Sequence, residues 1–284
     1  LQTQTQEIEI MKKILASTIM CFAAMAAMAQ TADIEVSYTT RSLYRNGVER
    51  INKYHLLANS TLSKFYSPRS EEIDSLISTP EGLAAFKKTQ EAALKAMIGQ
   101  GMIDMKNLPR KKENVYVIKS VRDSMITVYD MLDNEPVYYT EPFAELTWET
   151  GDSTKNILGY ECIQAQTDYH GRHWTVWFTP EIPVHDGPWK FRGLPGLILE
   201  ATTGDGIGFF ADGIQQSSKD IGSVYDAEKY ERYNRKDILR ARRAVIDNPK
   251  GTLTAKGLLD GVEIDPDLLK PKSDGGDFIE TDYR

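Results

Sequence analysis

Two cysteines in 284 residues, Cys21 and Cys162, are too few for a disulfide scaffold. Positive charge is also in deficit. Lys and Arg number 34 against 41 Asp and Glu, and the resulting net charge of -7 argues against phosphate backbones or anionic membrane surfaces as the main partner. No Gly-x-Ser-x-Gly elbow, His-Glu-x-x-His helix, phosphate-binding glycine loop or Cys-x-x-Cys pair occurs, so the enzyme classes that such motifs mark have no support. What is present, 41% hydrophobic and 26% charged residues, is the balance of a chain that folds around an ordinary core.

The longest apolar run lies near the amino terminus. Met11-Lys12-Lys13 opens a short positive region, Ile14 to Ala27 is apolar except for Ser17 and Thr18, and Ala27-Met28-Ala29 precedes Gln30. This is the pattern of a secretory signal peptide over residues 11–29 with cleavage near Ala29. A transmembrane anchor needs about 20 apolar residues, and this run is shorter and ends in small ones. Residues 1–10 are polar and read as an untranslated or non-native leader. The expected mature chain is therefore periplasmic or exported, has no transmembrane segment and keeps one thiol, Cys162.

From Asp33 to Gln216 the sequence is mostly short segments of period 2 broken by turn residues, which predicts an antiparallel sheet. Ile34, Val36 and Tyr38 alternate with Glu35, Ser37 and Thr39, ahead of a turn at Arg45-Asn46-Gly47. One helix is predicted over about 80–98. Thr79 caps it, Pro80 takes its first position and Leu83, Phe86, Ala93, Leu94 and Met97 form one apolar stripe that should lie against the sheet. In Glu161 to Thr179, a Gly171-Arg172 turn of the II′ kind predicts a hairpin. Its register puts Ala165, Thr167, Tyr169, Trp174, Val176 and Phe178 on one face. Cys162, Asp168, His170, His173 and Trp177 fall on the other. After about Ile221, residues 226–233 and 235–247 read as a broken helix, with Ile238, Ala241, Val245 and Ile246 inward. Its arginines point mostly outward, and an extended or loosely held tail follows.

The segment Pro180 to Glu200 contains Gly193-Leu194-Pro195-Gly196-Leu197-Ile198. Pro195-Gly196 suits the centre of a type II turn, with glycine at positive φ, and Leu197 to Thr202 then starts a strand, so the hexapeptide reads as architecture. This stretch resembles the signature of the GLPGLI family of bacterial envelope proteins. The resemblance extends upstream through Trp148, Gly159-Tyr160-Glu161-Cys162, Gly171-Arg172 and Trp177-Phe178-Thr179, and covers most of the expected mature chain. It implies a mainly antiparallel β fold with packed helices. A curved sheet or half-barrel would wrap a helix, as in periplasmic lipoprotein carriers, with residues 30–221 forming this domain; residues 222–284, read as a helical extension and loose tail, depart from the family pattern. The resemblance leaves the activity undefined, and no catalytic residue or cofactor is expected from the motifs present.

Three constellations could carry chemistry. His170 and His173 flank the predicted turn, about 5.5 Å apart on one face, where with Asp168 they could share a zinc or copper ion. Cys162 could be a nucleophile, but no second cysteine or adjacent base supports it, and a buried filler fits better. His185-Asp186 precedes Gly187-Pro188 and reads as turn chemistry. The favoured expectation is a binding or accessory protein, not an enzyme, whose partner is an apolar small molecule or an envelope protein and not a nucleic acid. Trp148, Trp177 and Trp189 could line a pocket, and Trp177, alone among polar neighbours, marks a possible binding face. The rival expectation is a metal carrier or metal-dependent hydrolase centred on His170 and His173.

Overall fold

The computed structural model describes residues 31–43, 49–99, 109–111, 113–132, 135–144, 146–222, 224–248, 251 and 278–283. The signal-peptide pattern and the Arg45-Asn46-Gly47 turn lie outside them. Strands β1 (Ile34–Leu43), β2 (Glu49–Ala58) and β3 (Leu62–Tyr66) lead into helices α1 (Pro68–Ile77) and α2 (Pro80–Gly99). Strands β4 (Tyr116–Ser120), β5 (Met125–Leu132), β6 (Glu135–Pro142), β7 (Glu149–Ile157), β8 (Tyr160–Tyr169) and β9 (Arg172–Thr179) follow. A long connection then reaches β10 (Leu197–Thr203) and β11 (Ile207–Gln216), and the short β12 (Glu231–Arg232) precedes helix α3 (Arg235–Asp247). All twelve strands belong to one open sheet in the order β12-β6-β5-β4-β3-β2-β1-β11-β10-β9-β8-β7. Its pairings are antiparallel except for β12 on β6. The fold class is thus mainly antiparallel β with packed helices.

The sheet is strongly curved. β6 and β8 are nine strand spacings apart in the sheet order, roughly 43 Å if it were flat at about 4.8 Å per strand. Yet Glu141 on β6 and His170 at the end of β8 meet at 3.3 Å. The two sides of the sheet are therefore joined by side chains, with no backbone ladder between them. Inside the curl lies the main core, including Val36 and Tyr38 of β1, Leu56 of β2, Trp174 and Val176 of β9 and Phe209 of β11. Phe65 and Phe209, on strands three positions apart, stack edge to face with centroids 6.0 Å apart.

All three helices differ from expectation, and residues 226–233, expected as the first part of a broken helix, form a single 3-10 turn at Ala227–Lys229 and the strand β12. α2 follows its capping signal, with Gly82 N–H donating to Thr79 Oγ1 at 3.1 Å, but none of its described side chains is buried and Leu83 and Leu94 are 37% and 38% exposed. Its main packing partner is α1. α1 went unread, although Ser67 caps it ahead of Pro68. Its Ile73 is buried. The helix that the curved sheet holds is α3, whose Ile238 enters the main core. Val245 of α3, expected inward, is exposed.

The β8–β9 hairpin turns at His170-Gly171, one residue earlier than expected, with φ of 50° and 79°. Both values are positive, which makes the turn I′-like, not II′. Tyr169 pairs with Arg172 and Ile163 with Phe178. The register moves by two, which leaves every residue on its predicted face. Ala165, Thr167, Tyr169, Trp174, Val176 and Phe178 are all buried.

Candidate functional site

The concave side of the sheet, α3 and Phe278–Glu280 enclose a cavity of about 350 Å³. Its walls carry Tyr54, Phe65, Tyr139, Trp189, Phe209 and Ile238, all buried. Toward β1 and β2 the lining becomes polar, with Thr40, Ser42, Arg50 and Asn52. The period of two explains this gradient, because each strand contributes apolar inward residues along most of its length and polar ones where the curl opens. Two ion pairs sit on the lining, Arg50 with Glu113 at 2.5 Å and Arg242 with Asp130 at 2.6 Å. Trp189 is held at φ 52°, a region that bulky side chains rarely occupy and one that tends to mark functional sites.

At Glu280 and Tyr139 the cavity wall meets a buried charge cluster. Lys190, with a fully buried side chain, lies 2.7 Å from both Glu141 Oε1 and Glu280 Oε1 and 4.9 Å from the Tyr139 ring centre. Arg235, at the start of α3, binds Glu280 at 2.5 Å and Asp282 at 2.6 Å and approaches Glu141 at 3.5 Å. His170 reaches Glu141 through Nε2 at 3.3 Å and Asp282 through Nδ1 at 3.2 Å. Tyr139 donates to Glu280 at 3.1 Å. Burial alone would raise the Glu141 carboxyl, but the His170 hydrogen bond and the Lys190 charge outweigh it and hold it at about 2. Glu280 is likewise lowered against its own burial by Lys190 and His170, and Asp282 by hydrogen bonds from Arg235 and His170. All three therefore act as ionised acceptors.

Phe278–Tyr283 is the strap that brings Glu280 and Asp282 into this cluster. Arg172 donates to the carbonyls of Ile279 and Phe278, Thr281 N–H donates to the His170 carbonyl at 2.9 Å, and Arg240 donates to the Tyr283 carbonyl at 3.0 Å. Gly171 is required here, since a Cβ would meet Thr281 Oγ1 at 2.4 Å. These residues, expected in a loose tail, are firmly docked. Arg172 of β9 and the α3 residues Arg235 and Arg240, the last two expected outward, hold them. A second buried lysine, Lys119 of β4, binds Asp186 and the carbonyls of Gly187 and Phe191, at 2.7 and 3.3 Å, and so ties down the loop that carries Trp189 and Lys190.

The expected site residues separate. His173 is exposed and bonds Asp168 at 2.8 Å, whereas His170 turns into the buried cluster, so the two do not share a site. His170, Glu280 and Asp282 do place ligand atoms within 4.8 Å of one another. Lys190 and Arg235 already neutralise those carboxylates, so a divalent ion would have to displace two hydrogen-bonded cations. Cys162 is buried, and burial pushes its thiol up to about 11, which makes it a poor nucleophile. Asp186 serves Lys119 and donates nothing to His185 chemistry, which lies exposed. Of the tryptophans, Trp189 lines the cavity. Trp177 is covered by Lys155, 4.4 Å from its ring centre and paired with Glu200.

The hexapeptide does not form the expected turn. Gly193 takes positive φ, at 93°, and Gly196 does not. Gly196 is needed for close approach, because a Cβ there would lie 2.1 Å from the Thr179 carbonyl oxygen. Leu194, Leu197 and Ile198 are buried, while Gly193 and Pro195 face solvent. Sequence reasoning missed Lys190, Lys119, Glu141 and Glu280. Only the period of two could have found Glu141, which continues the inward series Val137 and Tyr139.

Fold and site together define a class, an open half-barrel with an internal cavity and a side-chain-closed seam. Residues 170–200, which include His170, Trp189 and Lys190, match a family model described as "Protein of unknown function (Porph_ging)". No curated protein matches the sequence. Among solved structures, PNGF-II in a C2 crystal form is 16% identical with a TM-score of 0.49, over 74% of this chain and 33% of that one. This chain thus spans about one third of the length of PNGF-II. A LolA superfamily protein from Nitrosomonas europaea is 6% identical with a TM-score of 0.24, over 66% of this chain and 86% of that one.

Proposed function

We propose that this chain is an exported envelope protein of the GLPGLI family that binds an apolar small molecule in the cavity between the curved sheet and α3. The observation that carries the reading is the cavity itself. Its volume falls at the lower end of the range for small-molecule sites, and aromatic and aliphatic residues form just over half of its lining, the rest being polar or charged. The signal-peptide pattern at Met11 to Ala29 supports export. No described helix is long and apolar enough to cross a membrane.

The test uses N-phenyl-1-naphthylamine, a neutral apolar dye that brightens when it leaves water. The protein should enhance its fluorescence saturably. Ile207→Trp, which adds bulk to the cavity wall, should abolish the enhancement while leaving the circular dichroism spectrum intact. Absence of enhancement with the unaltered protein would overturn the reading.

A further inference from the structure

Glu280 reaches the cavity wall from a six-residue strap, and its carboxylate takes a hydrogen bond from Tyr139 and ion pairs from Lys190 and Arg235. The receptor atoms belong to the body of the fold. Tyr139 is on β6, Lys190 sits on the loop tied down by Lys119, and Arg235 opens α3. The carboxylates that answer them come mostly from the strap, with Glu141 the exception. If the strap is taken away, Lys190 and Arg235 share the single carboxylate of Glu141. A buried cation left short of partners is costly, so with the strap displaced these cations, which lie behind the Glu280 wall of the cavity, would require another anion. Resting on the cavity reading above, we infer that the ligand is an anionic amphiphile. Its carboxylate or phosphate head would take the place of Glu280 on Lys190, Arg235 and Tyr139, and its apolar body would lie against Phe65, Phe209 and Ile238. Glu280 is the internal surrogate for that head group, and binding displaces the strap.

Dodecanoate and dodecan-1-ol, which share one chain length and differ in head group, separate this inference from the cavity reading when each competes with the naphthylamine dye on the full chain. In Glu280→Gln, which keeps the side-chain volume and removes the surrogate charge, the ratio of dodecanoate to dodecanol affinity should rise roughly tenfold, about the worth of one charge-assisted hydrogen bond. Lys190→Met should lower the same ratio. A measurement on the unaltered protein guards against variants that fold poorly. Dodecanoate should speed hydrogen exchange at the Thr281 amide, which donates to the His170 carbonyl, and dodecanol should not. If the alcohol binds but the ratio stays fixed in Glu280→Gln, or if dodecanoate leaves Thr281 protected, the anion site is refuted and the cavity reading survives. Failure of dye, acid and alcohol alike would remove both.

Discussion

At the scale of single residues, Gly171 and Gly196 are fixed by different constraints. Gly171 needs both positive φ and space for Thr281. Gly196 needs only space, at the Thr179 carbonyl. The motif that contains Gly196 stood out in the sequence, but its physical reason did not, because a proline-glycine pair reads as a turn whether the glycine serves φ or close approach. The distinction predicts opposite outcomes for neighbouring substitutions. Gly196→Ala should destabilise the protein by more than about 3 kcal/mol, since backbone must move to admit the methyl group. Exposed Pro195→Ala should stay within about 1 kcal/mol. Urea denaturation of both variants checks this.

At the scale of elements, helices with similar sequence credentials occupy different positions. α2 has the stronger apolar stripe on paper, yet the short α1, unread from the sequence, buries its Ile73 and is the better anchored. An apolar stripe shows that a helix has something to bury and does not say against what. Ile73→Ala should cost about 2 to 5 kcal/mol, the usual range for a buried aliphatic truncation. Leu83→Ala on α2 should cost less than about 1 kcal/mol, as at other exposed positions. Thermal unfolding of the two variants distinguishes them, and equal losses would show that α2 is packed after all. β7 escaped notice for a related reason. Glu149–Ile157 is an edge strand with mostly exposed residues, so it lacks the alternation that marks a half-covered strand.

At the scale of the whole molecule, the curl is closed by ions where a complete barrel would have a hydrogen-bonded ladder. Glu141, Glu280 and Asp282 are all held below their ordinary range in the folded state. A lowered folded value means stability that is present above the unfolded value and lost as pH falls toward the folded one. For Glu141 that window runs from the ordinary 4.5 down to about 2. The seam should therefore weaken progressively below about pH 4.5, and Glu141→Gln should flatten that part of the stability profile. Circular dichroism melts between pH 6 and pH 2 measure the slope, and an unchanged slope in the variant would place the acid sensitivity elsewhere.

Local alternation and turn chemistry were enough to fix the antiparallel class, the strand pairs around the β8–β9 hairpin, and which hairpin side chains are buried. Those properties depend on neighbours in the chain, and a two-residue error in register leaves the faces unchanged. Long-range curvature decided the rest. Glu141, which continues the inward period of β6, carries a spacing signal, but His170, Lys190, Arg235, Glu280 and Asp282, spread with it over more than 140 positions, carry none. Nothing in their local sequence separates a buried ion from a solvated one. Only when the sheet bends far enough to bring β6 against the end of β8, with the strap laid across the seam, do they become one site.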